Sequence, residues 1–257
     1  MTAAVRSPLA IQADDRRHDR RRRGPVWGMV LHQTGRGIVA RAARHGVSPL
    51  ELALSYYAQS SGGTHYVIDY DGKIYQVADD DRRVGHVGVA ADERRRYLSG
   101  EWERDFSAAA VKRWHERWPG RKSPQHLYPT RSPNSCYVGC EMLPLEEVPD
   151  PNNPEWTHWF PGMRYTESQH RAAGRLAADL ARRHGWPEGW QHTSRLVGHE
   201  DIDAYGRWQR AGGWDPGALR ERPWVSWSVV LFEATHSGPR VIPRSPLAFF
   251  YRAIDVR

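Results

Sequence analysis

The sequence has little cysteine and no long apolar run, and each of these features excludes some classes of protein. Its 257 residues include two cysteines, Cys136 and Cys140. If both lie on one strand they are about 13 Å apart, which is too far for a disulfide bond. We therefore expect neither a disulfide framework nor a cysteine-rich zinc module. No stretch approaches the roughly 18 apolar residues of a membrane span, so membrane insertion is not expected.

We also expect no cleavable secretion signal. The arginine-rich stretch at residues 16–23 is followed only by GPVWGMVL, and no small-residue cleavage site comes after it. We therefore expect a protein that is cytoplasmic as synthesised, with export by a non-classical route as the alternative. Because runs of like charge are usually solvated, residues 1–23 are predicted to form a flexible basic arm.

What the chain does have is positive charge and an unusual set of aromatic residues. The formal net charge is +7, which favours anionic partners such as nucleic acid, acidic lipid or the anionic bacterial wall. The chain shows no recognisable reading helix or aromatic RNA motif, so no specific nucleic-acid partner is expected. It holds 12 Trp and 11 Tyr against 5 Phe, which suits either an open binding groove or core packing. We expect a monomer.

Strand and helix patterns alternate along the chain and predict an α/β fold. The segment SPLELALSYYAQ is predicted to be a helix, because it has Pro at the first helical position and a Ser48–Glu51 capping box. A second helix with an apolar stripe is predicted after Thr166, where another capping box marks its start. A hairpin is predicted around the Asp71-Gly72 turn. Predicted strands occupy 26–31, 136–142 and the segment ending at His199. These elements predict a mixed central sheet flanked by helices in a single domain.

The domain organisation follows from changes in composition. The arm at 1–23 precedes a domain at 24–221, which carries a long, polar, tryptophan-containing loop insertion at about 91–132. Another loop, rich in Pro, Asn and Trp, is predicted at 144–165. Residues 222–257 form a C-terminal extension whose role the sequence leaves open.

Two histidines share one pattern. His32 follows the apolar run VWGMVL and His199 follows RLVG, so adjacent strands would bring both imidazoles to one edge of the sheet. Asp215 begins an Asp-Pro-Gly turn sixteen residues after His199, which could fix a carboxylate at a loop apex. Two imidazoles and one carboxylate with an open fourth position suit catalytic zinc. Spacing alone leaves structural roles for all three residues open.

The order of several short motifs resembles a known family. VLHQTGRG, THYVIDYDGKIYQV, VGHVGVA, NSCYVGCEM, LVGHEDI and WDPG follow one another as in the zinc-dependent N-acetylmuramoyl-L-alanine amidases, a family that includes the peptidoglycan recognition proteins. The resemblance spans about 26–220 with the insertion set aside. It implies a single amidase or peptidoglycan-recognition-like domain.

The resemblance also assigns residues to roles. It implies one Zn²⁺ ion held by His32, His199 and Asp215, with Glu141 as the catalytic glutamate. The strand pattern agrees, because Glu141 shares a face with Tyr137 and Gly139, and a strand-end carboxylate beside a metal can accept a proton from the attacking water. On the substrate side the resemblance places three residues: His86, Thr64 and Asn134.

Thr64 and Gly213 are among the positions that depart from the family pattern. Family members often have a tyrosine where this chain has Thr64, and many have an oxyanion-stabilising lysine where it has Gly213. We expect Arg207 or Arg210 to supply the missing cation, although a guanidinium does not reproduce the compact charge of lysine.

The function implied by the resemblance is hydrolysis of peptidoglycan or muropeptides. The bond cut would join N-acetylmuramic acid to the L-alanine of the stem peptide. The tryptophan-containing insertion and loop 152–160 would then bind glycan or stem peptide. The alternative is a non-catalytic peptidoglycan-binding module, but such relatives have lost a metal ligand, and Asp215 is competent to bind metal.

Overall fold

A mixed six-stranded sheet lies at the centre of the protein. The computed structural model describes residues 10–12, 22, 24–34, 38–59, 63–130, 132–144, 148–150, 153–158, 165–209, 215 and 225–237. The strand order of the main sheet is β1-β4-β3-β5-β2-β8, and β6 and β7 form a separate antiparallel pair. The pairs β2–β5, β2–β8, β3–β5 and β1–β4 are parallel, while β3–β4 is antiparallel. The predicted α/β class with a mixed sheet is confirmed.

The element bounds are as follows. The strands are β1 (Ala10–Gln12), β2 (Gly28–Gln33), β3 (Tyr66–Ile68), β4 (Ile74–Gln76), β5 (Tyr137–Met142), β6 (Val148–Asp150), β7 (Asn153–His158) and β8 (Leu196–Gly198). The helices are α1 (Ile38–His45), α2 (Pro49–Gln59), α3 (Ala91–Ser99), α4 (Ala108–Arg117), α5 (Glu167–Arg183), α6 (His199–Ile202), α7 (Ala204–Gln209) and α8 (Trp227–His236). Short 3₁₀ helices occur at Glu101–Glu103, Pro124–Leu127, Pro133–Ser135 and Trp190–His192.

Helix α5 covers one face of the sheet. Met29 and Leu31 of β2 pack into the same core as the apolar stripe of α5, whereas Val30 belongs to the core on the other face. The predicted capping box is present: Gln169 N donates to Thr166 Oγ1 at 3.0 Å, and Thr166 N donates to Gln169 Oε1 at 2.9 Å. Gln169 Nε2 also donates to the Leu143 carbonyl at 2.8 Å, so the start of α5 is fixed to the end of β5.

Part of the C-terminal extension is a helix that packs on α5. At Gly174 a Cβ would lie 2.4 Å from the Val230 carbonyl oxygen, so the two helices approach closely where a side chain would not fit. Val230 and Ala234 of α8 are buried in the core that α5 shares with the sheet. The segment 227–236 therefore extends the helical layer on this face.

Two groups of helices cover the opposite face. Helices α1 and α2 pack against Val67 and Tyr75, and α1 was not predicted from the sequence.

Within 91–132, the expectation of an aromatic binding loop is wrong for three tryptophans, since Trp102 and Trp114 are fully buried and Trp118 is 8% exposed. The indole of Trp114 donates to the Asp201 carbonyl and that of Trp118 to the Asp201 carboxylate, each at 3.0 Å. The insertion thus braces the segment that follows His199.

Two parts of the basic arm are built into the fold. Ala10–Gln12 form β1, which pairs with β4 at the sheet edge. Arg22 donates from Nη2 to the Tyr137 carbonyl at 2.9 Å and from Nε to the Asp80 carbonyl at 3.1 Å. The prediction of a flexible arm is therefore wrong for 10–12 and Arg22, because 10–12 pair with a strand far along the chain and the Arg22 guanidinium donates to distant backbone carbonyls. The rest of 1–23 lies outside the described residues.

We expect Arg22→Met to destabilise the protein by about 2 kcal/mol. Methionine keeps the aliphatic stem but removes the donors that serve interior carbonyls, which would then lack partners. The free energy of unfolding in urea measures the effect. Arg83→Met is the matched control, since Arg83 is exposed and its replacement should cost less than about 0.5 kcal/mol. Equal stability of the two variants would contradict a structural role for Arg22.

Smaller differences concern the ends of predicted elements. His32 lies inside β2 rather than just beyond it, and the loop predicted at 144–165 contains the β6–β7 hairpin.

Cys136 and Cys140 are free thiols, as expected. Of the helices that the structure describes, none has the length and apolar character needed to cross a membrane.

Candidate active site

Three adjacent strands bring the predicted functional side chains to the same level of the sheet. His32 on β2 pairs with Glu141 on β5, and Leu31 pairs with Gly198, so His199 follows β8 beside His32. The His32 and His199 ring centroids are 4.7 Å apart. All three residues are buried. The parallel pairing of β5, β2 and β8 is therefore what assembles the site.

Asp215 reaches the site from a loop. Its side-chain Oδ1 accepts a hydrogen bond from Gln33 N at 2.9 Å, and its carbonyl accepts one from Glu200 N at 3.1 Å. Its φ is 97°, a region that residues other than glycine rarely adopt. A strained backbone conformation persists where surrounding contacts hold it in place, and these two hydrogen bonds hold Asp215 in this way.

His32, His199 and Asp215 form a group that could hold one metal ion. One ligand atom from each lies within 4.8 Å of the others. His199 Nδ1 is 2.7 Å from Asp215 Oδ2, and His32 Nδ1 is 3.5 Å from Asp215 Oδ1. The predicted ligand set is thus brought together by the fold.

A hydrogen-bond relay behind His32 determines which of its nitrogens is available. His86 Nε2 is 3.1 Å from the Tyr137 carbonyl, an acceptor, so Nε2 carries the proton and His86 Nδ1 must accept. His32 Nε2 lies 2.9 Å from that Nδ1 and therefore donates to it. The lone pair of His32 is left on Nδ1, towards Asp215. A Cβ at Gly139 would lie 2.7 Å from His86 Cγ, so the glycine makes room for the relay.

The electrostatics of the site favour a neutral His199, a neutral His86 and an ionised Asp215. Burial, reinforced by Arg207, lowers the pKa of His199 to about 3. Burial and the neighbouring His32 lower the pKa of His86 well below its usual value. Burial opposes ionisation of Asp215, but His199 and His32 outweigh it and hold the pKa of Asp215 well below its usual range. Metal ligands need these protonation states.

Glu141 is a buried carboxylate with one oxygen unused. Tyr57 lines the same cavity as Glu141, and Glu141 Oε2 has no hydrogen-bond partner among the described residues. Burial raises the pKa of Glu141 to about 7, and Asp215 adds to the rise while His32 opposes it. A carboxylate whose pKa lies near neutrality can both accept and release a proton.

Arg207 is the predicted cation that the structure places at the site. Its Nη2 lies 3.2 Å from His199 Nε2, and its Nε lies 3.6 Å from Asp215 Oδ2. Each nitrogen of His199 thus has a polar neighbour, and a metal bound through either one would displace that contact. Arg210, the other predicted cation, and Gly213 lie outside the described residues.

Thr64 and Asn134 have structural contacts instead of the predicted substrate contacts. Thr64 is fully buried and its hydroxyl donates to the Tyr66 carbonyl at 3.2 Å. Asn134 Oδ1 accepts from His86 N and Val87 N at 3.1 and 2.8 Å, and its Nδ2 donates to the Val87 carbonyl. Since these contacts use both side chains, Asn134 fixes the segment that carries His86, and neither residue lines the cavity described next.

An open cavity of about 250 Å³ lies over these groups. His32, His199 and Asp215 line it together with Glu141, His86 and Arg207. Helices α1 and α2 contribute Arg41, Tyr56 and Tyr57, which sequence reasoning missed. No short motif marks these three, because they reach the cavity only when the helices pack against the sheet. The arrangement places a candidate metal site, a carboxylate that could accept a proton and a cation within one cavity, a combination suited to metal-assisted hydrolysis.

The solved structures that are similar to this chain include two that match over most of its length. A selenomethionine derivative of AmpD matches with 16% identity and a TM-score of 0.42, over 77% of this chain and 86% of that one. The endolysin N-acetylmuramoyl-L-alanine amidase LysCS from Clostridium intestinale matches with 13% identity and a TM-score of 0.33, over 77% and 84%. No match is found among curated protein sequences.

Comparison with protein families also matches most of the chain. The sequence model of the family described as N-acetylmuramoyl-L-alanine amidase matches residues 22–218. The matched range contains every residue of the site and most of the described elements. The chain belongs to the N-acetylmuramoyl-L-alanine amidase family.

Proposed function

We propose that the protein is a zinc-dependent hydrolase of the amide bond between N-acetylmuramic acid and the L-alanine of the stem peptide. The observation that carries the proposal is the placement of Glu141, whose Oε2 has no partner among the described residues, in one cavity with His32, His199 and Asp215. Family membership supports a peptidoglycan substrate, and the site supplies the groups that amide hydrolysis needs.

The donor set fits a single zinc ion. Two imidazoles and one carboxylate are a ligand set that leaves a fourth position open, which is typical of catalytic zinc. The relay through His86 presents the lone pair of His32 on Nδ1. When bound, zinc would supply a Lewis acid for the substrate carbonyl and lower the pKa of the attacking water.

Glu141 is the proton carrier in this proposal. Its Oε2 accepts a proton from water as the water oxygen attacks the lactyl carbonyl carbon. The same carboxyl then gives that proton to the alanine nitrogen as the carbon–nitrogen bond breaks. The products are a free lactyl carboxylate on the glycan side and a free amine on the peptide. Water is the only co-reactant.

Arg207 is proposed to stabilise the negative charge that develops on the carbonyl oxygen. Its guanidinium lies within 4 Å of His199 and Asp215 and lines the cavity. A fixed cation in a partly closed site stabilises such charge more than it would in water. It takes the place of the lysine that family members carry at the position of Gly213.

Incubation with purified peptidoglycan tests the proposed function. We expect free stem peptides with L-alanine at the amino end and intact glycan strands in the mass spectrum, with zinc in the purified protein. Chelation should abolish peptide release, and zinc should restore it. Cut glycan strands would contradict the proposal. Binding of peptidoglycan without any cleavage would favour the alternative, a non-catalytic recognition module.

The relay predicts a role for His86 in metal affinity. We expect His86→Phe to weaken zinc binding by roughly 10–100-fold, because His32 loses the acceptor that fixes its tautomer. His86→Gln should lose less, since an amide can accept from His32 and donate to the Tyr137 carbonyl. Competition with a chromophoric chelator measures both affinities. Equal zinc binding by His86→Phe and wild type would contradict the relay.

A further inference from the structure

Arg22 lies where the start of β5 meets the segment that leads to His86. Its Nη2 donates to the Tyr137 carbonyl at 2.9 Å and to the Arg82 carbonyl at 3.2 Å. Its Nε donates to the Asp80 carbonyl at 3.1 Å. Asp80 and Arg82 shortly precede His86 in the chain, so one guanidinium joins the first residue of β5 to the segment that carries this histidine.

The Tyr137 carbonyl is shared between Arg22 and the relay behind His32. His86 Nε2 donates to this carbonyl at 3.1 Å, and His32 Nε2 donates to His86 Nδ1 at 2.9 Å. A carbonyl oxygen has two lone pairs, so it can accept from the imidazole and the guanidinium together. Arg22 is therefore connected to His32 through two groups, the Tyr137 carbonyl and the His86 ring.

Arg22 also contacts the other groups that hold His86 in place. Asn134 Oδ1 accepts from His86 N at 3.1 Å, and the Asn134 carbonyl accepts from Arg22 Nη1 at 3.5 Å. The ring of His65 packs edge-on against that of His86, with the centroids 5.7 Å apart. His65 Nε2 lies 3.1 Å from the same Arg82 carbonyl that accepts from Arg22. The groups that fix the position of the His86 ring are thus held together by one side chain.

We propose that Arg22 is a positioning residue for the metal site, acting through the Tyr137 carbonyl and His86 to keep His32 in the orientation that presents Nδ1. Groups behind a metal ligand fix its tautomer and ring orientation, and they raise metal affinity in this way. The inference rests on the proposed function, since it takes His32 as a zinc ligand. It gives a role at the site to a residue that lies before β2 in the chain.

Zinc affinity of Arg22→Met tests the positioning role. We expect binding to weaken by roughly threefold to tenfold, less than for a residue that touches the ligand directly, and competition with a chromophoric chelator measures it. Gln169→Met is the matched control. Gln169 Nε2 donates to the Leu143 and Ile68 carbonyls at 2.8 and 3.3 Å, so this variant also removes donors to interior carbonyls, but neither carbonyl belongs to the relay. Its zinc affinity should match that of wild type.

Two further measurements separate positioning from a general loss of stability. If Arg22 acts through His86, Arg22→Met should add no further loss of zinc affinity in a His86→Phe background. In metal-free protein labelled with nitrogen-15 at histidine, the His86 ring resonances should move in Arg22→Met and stay in place in Gln169→Met. Arg22→Lys keeps the charge and a donor but loses the planar fork, so its zinc affinity should lie between those of wild type and Arg22→Met.

Each outcome points to one cause. If wild type binds zinc and Arg22→Met binds it equally well, the positioning role alone is overturned. An equal loss in Gln169→Met, an equal loss in both backgrounds or unmoved His86 resonances would overturn it too. A wild type that binds no zinc would overturn the proposed function, and the positioning role with it.

Discussion

Glu141→Gln is expected to retain zinc and lose turnover by roughly 10²–10⁴-fold, the usual contribution of a general acid–base group. The amide of glutamine has nearly the shape of the carboxylate but cannot accept the proton from water. None of the three proposed metal ligands is altered, so the metal content should match that of wild type. Peptide release from purified peptidoglycan measures kcat, and metal analysis of the same sample measures zinc.

Stability distinguishes this loss from misfolding. Glu141 is buried, and within the described part of the chain its Oε2 has no hydrogen-bond partner, so replacing the carboxylate by a neutral amide should not destabilise the fold. Glu188→Gln is a matched control because Glu188 is exposed, and its kcat should equal that of wild type. Full activity of Glu141→Gln would show that another group carries the proton.

His199→Ala is expected to lose both zinc and activity. The variant removes one proposed ligand and leaves Asp215 without the imidazole that lies 2.7 Å from it. Loss of a direct ligand should exceed the roughly 10–100-fold that second-shell variants cost in metal affinity. Competition with a chromophoric chelator gives the affinity, and peptide release gives the activity.

The exposed histidine at position 192 provides the comparison. His192→Ala should bind zinc like wild type, because His192 lies on a 3₁₀ turn at the surface. If His199→Ala and His192→Ala bound zinc equally, the assignment of the metal site to His199 would be wrong. Together, His199→Ala and Glu141→Gln distinguish a loss of metal binding from a loss of proton transfer.

Local sequence patterns predicted the elements that carry the site. The apolar run before His32, the strand ending at Glu141 and the strand before His199 all appear in the sheet as parallel neighbours. Both capping boxes are present at the starts of α2 and α5. These features depend on residues close together in the chain, which is why a sequence reading could find them.

Features that depend on distant contacts were missed. Arg22 was assigned to a solvated arm because neighbouring arginines suggested solvation, yet its acceptors are carbonyls such as those of Asp80 and Tyr137. The tryptophans of the insertion were expected at a binding surface, but Trp114 packs beneath the segment after His199. Tyr57 reaches the cavity only through the packing of α2 on the sheet, and no local pattern marks that position.

Hydrolysis of peptidoglycan in water enriched in heavy oxygen tests the central claim most directly. The account predicts that the heavy isotope enters the lactyl carboxylate of the glycan product and is absent from the released peptide, which begins with L-alanine. Heavy oxygen at a sugar anomeric carbon or at a carboxyl group within the peptide would mean that a different bond is cut, and would contradict the account.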